Sequence, residues 1–405
     1  MRINRAYKVE MRPNNKQRGH LVRHCGAARF AFNWGLRRRI DEYAEYKAKE
    51  AAGEELPKYK SSKAMTQHKQ LNALKKTEFP WMYEVSKCAM QEALRDLDRA
   101  YDNFFSKRAR FPRFKSKKKG LGTFKLYGVI KVLDRHVQLP RLGRIRLKET
   151  PKIKGRILSA TVSERAGHWF VSFQVEEDIE VPKNHGDSVG VDLGIKTLAT
   201  LSDGTVFSNP RALRNSERKL RRLQQSLSRS VKGSNRYKRK RAAVARLYYR
   251  ISCQRRDALH KMTSIVSKSY GHIGIEDLNV SGMVKNRRLS KAIHDVSFFE
   301  VRRQLEYKAK WYGSEVFVHD RFYPSSKTCS SCGAVNGSLT LSERTFNCEV
   351  CGFNCDRDLN AAINLRPGVP RLQDVDGKAL ANCLTADGET SPSEASTEHR
   401  HENVR

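Results

Sequence analysis

The chain has 405 residues and a formal net charge of +36, from 79 Lys and Arg against 43 Asp and Glu. That length allows two to four domains with real cores, and so large a positive excess repels itself in a compact fold unless a polyanion relieves it. Nucleic acid fits better than a membrane surface, because the basic residues are spread along most of the chain and not along one amphipathic helix. A solvated basic surface on some other cytosolic protein is the bland alternative. No apolar run is long enough to span a bilayer and no signal-peptide core is visible, which predicts an intracellular, cytoplasmic protein.

Residues 2–12 alternate as a short strand closed by Pro13. Leu21, Cys25, Ala28, Phe32 and Leu36 then recur at helical spacing. The stretch from Tyr43 to Lys76 is polar, is broken by Gly53 and Pro57, and predicts no element. A second amphipathic helix is expected over about 86–106, with Met90, Leu94, Leu97, Tyr101 and Phe104 on one stripe. Pro112 stops it within the basic run RARFPRFKSKKKG. From Phe124 to Glu177 the period falls to two; Val137, Leu139, Ile145, Leu147, Val162, Phe170, Phe173 and Val175 predict a small β-barrel or sandwich. After the linker VPKNHGDS come a buried strand, VGVDLG, and a hairpin, TLATLSDGTVFS, with an Asp-Gly turn. Two long basic helices follow over about 211–229 and 234–268. Then come the strand HIGIED, a helix over about 297–312, the strand SEVFVHD, a cysteine segment and a last helix from Arg357. Beyond Pro367 the composition is polar and predicts a disordered tail over 371–405.

Nine cysteines are present, and four of them form two knuckles, Cys329-Ser-Ser-Cys332 and Cys348-Glu-Val-Cys351, separated by fifteen residues. Each knuckle presents two thiolates from one tight turn, and Gly333 and Gly352 supply the unusual φ such turns need. Two turns complete a tetrahedral sulfur shell suited to one structural Zn²⁺. Cys355, close by, reads as a packing residue and not a fifth ligand.

Three acids stand where acids are costly. Asp192 lies within the apolar strand around Val189 and Val191, Glu276 ends the strand GHIGIED, and Asp358 opens the helix DRDLNAAINL. Acids from two strands and a helix can meet at one edge of a mixed sheet. There they would hold two Mg²⁺ ions for in-line phosphodiester hydrolysis. Read singly, each has a rival explanation. Asp192 could end a turn. Asp277 could be the inward acid in place of Glu276. Asp358 could be a helix cap, or Asp356 the working acid.

The basic segments, including residues 213–256 and KNRRLSK at 285–291, predict phosphate contacts, with Arg113, Lys115, Arg287 and Arg288 as candidates. Phe111, Phe114, Tyr248 and Tyr249 could stack on bases, but core packing is the better reading of each.

Together these residues resemble the TnpB family, the insertion-sequence-encoded, RNA-guided endonucleases ancestral to type V CRISPR effectors. The marks are GAARFAFNWGLRRR, FPRFKSKKKG, LPRLGRIRL, GVDLGIKTLATLSDG, IGIEDLN, QLEYKAKWYG, FYPSSKTCSSCG and DRDLNAAINL, in that order. The resemblance implies an α+β multidomain fold. Residues 1–13 and 118–180 would form a β-barrel wedge domain carrying a helical recognition domain, 14–117. Residues 181–321 and 354–370 would form an RNase H-like (RuvC) nuclease domain, interrupted by a zinc ribbon over 322–353. Asp192, Glu276 and Asp358 take the places of the family's three catalytic acids. Lys87 and Gln91 fall on the helix resembling the family's reader of the target-adjacent motif. The implied partners are a guide RNA from the transposon end and double-stranded target DNA, engaged by a monomer. A nuclease-silent, RNA-guided regulator and a guide-independent DNA nuclease or transposition accessory protein are the alternatives. The intact acids weigh against the first, and the large basic region before the nuclease segment weighs against the second.

Overall fold

The computed structural model describes residues 1–368 apart from Leu341, with the side chain of Lys119 also set aside; the expected tail at 371–405 lies outside the described residues. The chain opens with β1 (Arg2–Met11) and the long helix α1 (Asn15–Ala51). A capping box starts that helix. The Asn14 side chain accepts from the Gln17 amide at 2.8 Å, and the Gln17 side chain accepts from the Asn14 amide at 3.0 Å. Leu21, Cys25, Ala28, Phe32 and Leu36 are all buried on one stripe. The polar stretch after it departs from expectation: α1 continues to Ala51, and a further helix, α2, spans Ala64–Ala73. Ala64, Gln67 and Leu71 are its only buried side chains, too few to make a visible stripe in ten residues. The Gln67 amide is held by the Gly35 carbonyl at 2.8 Å. Next comes α3 (Lys87–Phe105), which buries Met90, Leu94 and Leu97 against α1.

The strands that follow are β2 (Thr123–Leu126), β3 (Lys131–Leu133), β4 (His136–Leu139), β5 (Gly143–Arg146), β6 (Arg156–Arg165) and β7 (His168–Asp178). They form two antiparallel sheets, ordered β1-β7-β6-β2 and β3-β4-β5. A bridge between Met11 and Leu147 ties the two sheets together. Val9, Phe124, Val137, Ile145, Val162 and Phe173 share one core with the stripes of α1 and α3. The first strand and the last ones therefore enclose a helical excursion, as the strand–helices–strands order predicts.

The second sheet system contains β8 (Ser188–Asp192), β9 (Thr197–Leu201), β10 (Val206–Ser208), β11 (His272–Glu276) and β12 (Glu315–His319), in the order β10-β9-β8-β11-β12. The pairs β10–β9 and β9–β8 are antiparallel; β8–β11 and β11–β12 are parallel. Between β10 and β11 run the helices α4 (Ala212–Ser228) and α5 (Asn235–Ser269). Between β11 and β12 lie α6 (Val280–Met283), α7 (Ser290–Val296) and α8 (Phe298–Tyr312). Leu259, Met262 and Val266 of α5 and Val301 and Leu305 of α8 cover one sheet face. The chain then makes the hairpin of β13 (Thr345–Asn347) and β14 (Asn354–Asp356) and closes with α9 (Arg357–Asn364).

Candidate active site and metal-binding ribbon

Two glycines explain how α9 comes down onto the strands that carry Asp192 and Glu276. Gly190 and Gly274 face each other across β8 and β11, each two residues before an acid. Residues i and i+2 of a strand share a face, so Asp192 and Glu276 project on the same side as these glycines. That side is covered by the end of α9. A Cβ on Gly190 would lie 1.8 Å from the Ala362 carbonyl oxygen, and one on Gly274 would lie 1.7 Å from the Leu365 carbonyl oxygen. Only glycine lets the helix backbone come this close. The close approach brings Asp358, in the first turn of α9, within electrostatic range of Asp192.

All three acids are half-buried. Asp192 has its carboxyl pushed up to about 8, mainly by burial and then by the charges of Glu276 and Asp358; Arg357 opposes the shift. The neighbouring acids that the sequence offered as rivals have partners of their own. Asp277 pairs with Arg302 at 2.5 Å and with Arg321, so its carboxylate is spent on a structural clamp. Asp356 is the N-cap of α9 and accepts from the amides of Asp358 and Leu359 at 2.8 and 3.1 Å. Asp358 carries no cap duty; Arg344 and Arg357 stand 3.7 and 3.6 Å from its Oδ1. Glu276 Oε1 accepts from the buried Ser325 hydroxyl.

Cys329, Cys332, Cys348 and Cys351 bring their sulfurs within 4.8 Å of one another, a group that could hold a metal ion. Gly333 and Gly352 adopt φ of +76° and +71°, as the knuckle turns require. The sulfurs do not share one environment. Amide donation from Cys351 and Val350 draws the Cys348 thiol down to about 6, while burial pushes Cys332 up to about 12. Cys355 lies outside the group and donates to the Asp356 carbonyl at 3.4 Å.

The other candidate residues are scattered. Lys87 is exposed and Gln91 half-buried one turn apart on α3. Arg113, Arg287 and Arg288 are exposed. Lys115 is tethered: its backbone is clasped by the Asn33 side chain at 2.7 and 2.9 Å, and its ammonium lies 3.8 Å from the centre of the Phe32 ring. Phe111 packs edge-on against Tyr101 and Phe104, and Tyr249 stacks on His168. Core packing describes only the half-buried Tyr249 well; Phe111, Phe114 and Tyr248 are exposed. Sequence reasoning missed Ser325, Arg344, Asn360 and Asn364 as residues around the acids and the ribbon. The last two stand one helical turn apart in DRDLNAAINL, a pair whose shared face was a usable signal.

These features define a multidomain α+β protein with a carboxylate cluster on a mixed sheet and a four-cysteine ribbon beside it. Residues 170–287 match the family described as "Probable transposase", 298–365 match "Cas12f1-like, TNB domain", and 1–48 match a "Helix-turn-helix domain". In this chain residues 1–48 form β1 and most of α1, not two helices. The chain is 37% identical over 379 residues to "Putative RNA-guided DNA endonuclease InsQ" of Escherichia coli, covering 89% of this chain and 91% of that protein. It is also 37% identical to a Streptomyces pristinaespiralis protein described as "Putative RNA-guided DNA endonuclease", over 90% of this chain and 89% of that one. A cryo-EM structure titled as a Cas12f1-sgRNA-target DNA complex shares its fold at a TM-score of 0.52 and 12% identity, covering 90% of this chain and 98% of that chain. The chain belongs to the TnpB family of insertion-sequence-encoded proteins.

Proposed function

We propose that this protein is an RNA-guided endonuclease that hydrolyses double-stranded DNA beside a short target-adjacent motif. The observation that carries the reading is that Glu276 and Asp358 lie near enough for their charges to act on Asp192, whose carboxyl is raised mainly by burial and then by those two charges. Three oxygen donors that repel one another fit hard cations, and Mg²⁺ is the one whose coordination they match. Two bound Mg²⁺ ions would supply Lewis acidity and charge neutralisation for an in-line phosphodiester displacement. The protein's own part is positional. The paired strands fix Asp192 and Glu276, α9 brings Asp358, and the Asp277–Arg302–Arg321 clamp keeps the neighbouring acid out of the cluster.

The strand order β10-β9-β8-β11-β12, with three antiparallel strands followed by two parallel ones, supports an RNase H-like (RuvC) assignment for 181–321 and 354–370. The shared core of the two earlier sheets supports a wedge domain at 1–13 and 118–180 holding the helical recognition domain 14–117. The four thiols are the donors of one structural Zn²⁺ in a ribbon over 322–353, since soft sulfur in a closed tetrahedral set selects zinc. In this reading a guide RNA from the transposon end and the target DNA bind a monomer in the prokaryotic cytoplasm. Lys87 and Gln91 face the adjacent motif, and Arg113, Lys115, Arg287 and Arg288 line the phosphate path. Among the described residues no helix is long and apolar enough to cross a membrane.

The test is to express the protein with its native flanking DNA, sequence any copurified RNA, and assay cleavage of a matching plasmid library in Mg²⁺. A discrete RNA and cuts confined to matched targets are expected. Asp192→Ala should abolish cutting and leave the RNA bound; undiminished cutting by that variant would refute the assignment.

A further inference from the structure

We infer that Ser325, Asn360 and Asn364 are positioning residues that lock the cysteine ribbon to the carboxylate site, so that an intact ribbon sets the cation affinity of that site. The inference rests on the reading of the three acids as a cation site. The segment from Ser325 to Ser330 runs directly into the first knuckle cysteine, Cys329, and is held at both ends by the elements that carry acids. At its start, the Ser325 hydroxyl donates to Glu276 Oε1, on the end of β11. Along its length it is hooked by α9, the helix of Asp358. Asn364 Nδ2 donates to the carbonyls of Ser325 at 2.8 Å and Thr328 at 2.6 Å. Asn360 Nδ2 donates to the Thr328 carbonyl at 2.7 Å, and Asn360 Oδ1 accepts from the Ser330 amide at 2.9 Å. Asn360 thus grips the residues on both sides of Cys329.

Burial makes these contacts more than surface decoration. Asn360 is wholly inaccessible and Ser325 is 2% exposed. A buried amide that satisfies both its oxygen and its nitrogen is specific about position, because any shift leaves polar atoms unpaired. The three residues therefore link the elements that carry Glu276, Asp358 and Cys329 through one set of part-buried hydrogen bonds. Partners of this kind behind cation-binding carboxylates commonly govern affinity about 10- to 100-fold.

The experiment measures Mn²⁺ binding to the full-length protein by electron paramagnetic resonance, together with zinc content and the unfolding midpoint. Ser325→Ala is expected to weaken Mn²⁺ binding about tenfold, with zinc content and midpoint unchanged, and to raise the Mg²⁺ concentration needed for cleavage while excess Mg²⁺ restores the rate. A purely structural serine would move the midpoint and leave the cation requirement alone. Cys351→Ser, at an exposed knuckle position, should also weaken Mn²⁺ binding, and its effect should shrink in the Ser325→Ala background because the two act through one path. Asp192→Ala separates the two readings. If it abolishes Mn²⁺ binding while Ser325→Ala changes nothing, the coupling is wrong and the cation site stands. If Asp192→Ala also leaves Mn²⁺ binding intact, both fall. Strictly additive effects of Cys351→Ser and Ser325→Ala would overturn the shared path.

Discussion

Burial, with the charges of Glu276 and Asp358 added to it, makes the Asp192 carboxyl keep its proton well beyond the ordinary range, and this makes Asp192 a pH-dependent liability in the cation-free protein. Its carboxyl is raised from 3.8 to about 8, so over that interval the folded chain binds a proton that the unfolded chain has released. Stability therefore falls as pH rises from about 4 to about 8 and levels off above, at a slope of at most about 1.4 kcal/mol per pH unit. Melting of cation-free protein across this range should show the decline, and Asp192→Asn should flatten it; an identical slope in the variant would exclude Asp192 as its source. The same proton must leave when a divalent cation binds at neutral pH. Calorimetric titration with Mg²⁺ in buffers of different ionisation enthalpy should detect the release of about one proton, and none in Asp192→Asn. At this scale the sequence was legible in residue type but not in partner. Glu276 and Asp277 are adjacent acids at a strand end, and so are Asp356 and Asp358 at a helix start. What separates them is Arg302 and Arg321 for Asp277 and the amides of α9 for Asp356. The arginines lie distant in sequence, and periodicity carries no record of them.

The elements meet through glycine where side chains would hold them apart. Gly190→Ala or Gly274→Ala would force the backbone of α9 or of the turn after it off the sheet, since the nearest atoms to the new methyl are carbonyl oxygens and not flexible side chains. Overpacking of this kind costs ~1–3 kcal/mol. Its larger consequence would be functional, because Asp358 travels with the helix: each variant should still melt cooperatively but lose most cleavage. Wild-type cleavage by both would mean that the position of α9 does not govern the site. The ribbon poses a separate demand. Four thiols within 4.8 Å cannot all ionise without a cation among them, and Cys329→Ser should lose its zinc by elemental analysis and lower the ribbon's protection from proteolysis. Retention of one zinc per chain would remove Cys329 from the ligand set. Most elements were readable because burial is periodic. Leu21 to Leu36 in α1, Met90 to Leu97 in α3 and Leu247 to Val266 in α5 are the stripes that cores require. Helix α2 was not readable, because it buries three side chains of which one is Gln67, a polar residue tied to Gly35 and within 3.3 Å of Arg39. Tertiary hydrogen bonds, not pattern, make it a helix.

Across the whole molecule the excess of positive charge is the largest single electrostatic fact. The chain carries a net +36 over 405 residues; among the described residues its Lys and Arg are mostly exposed, and the hairpin of α4 and α5 shows how concentrated the charge becomes: Arg222, Arg229, Arg236 and Lys240 all line one cavity of about 580 Å³ between the two helices. Within this cavity Lys240 donates to a neutral partner, the Ser226 carbonyl at 2.7 Å. Some acidic residues elsewhere are committed to structural pairs such as Arg39–Asp98 and Arg255–Asp295, and no acidic residue lines this cavity. The nucleic-acid-free chain should therefore be stabilised by salt alone. Raising NaCl from 0.15 M to 1 M shortens the screening length from about 8 to about 3 Å, and the unfolding temperature of the free protein should rise by several degrees. With its RNA bound the dependence should reverse, because the polyanion already neutralises the repulsion and salt weakens phosphate contacts. Thermal melts of the free protein and the ribonucleoprotein over the same salt series decide the matter. A free protein indifferent to salt would mean that its positive charges are too far apart to repel, and a ribonucleoprotein that gains stability with salt would mean that the RNA is not held through them.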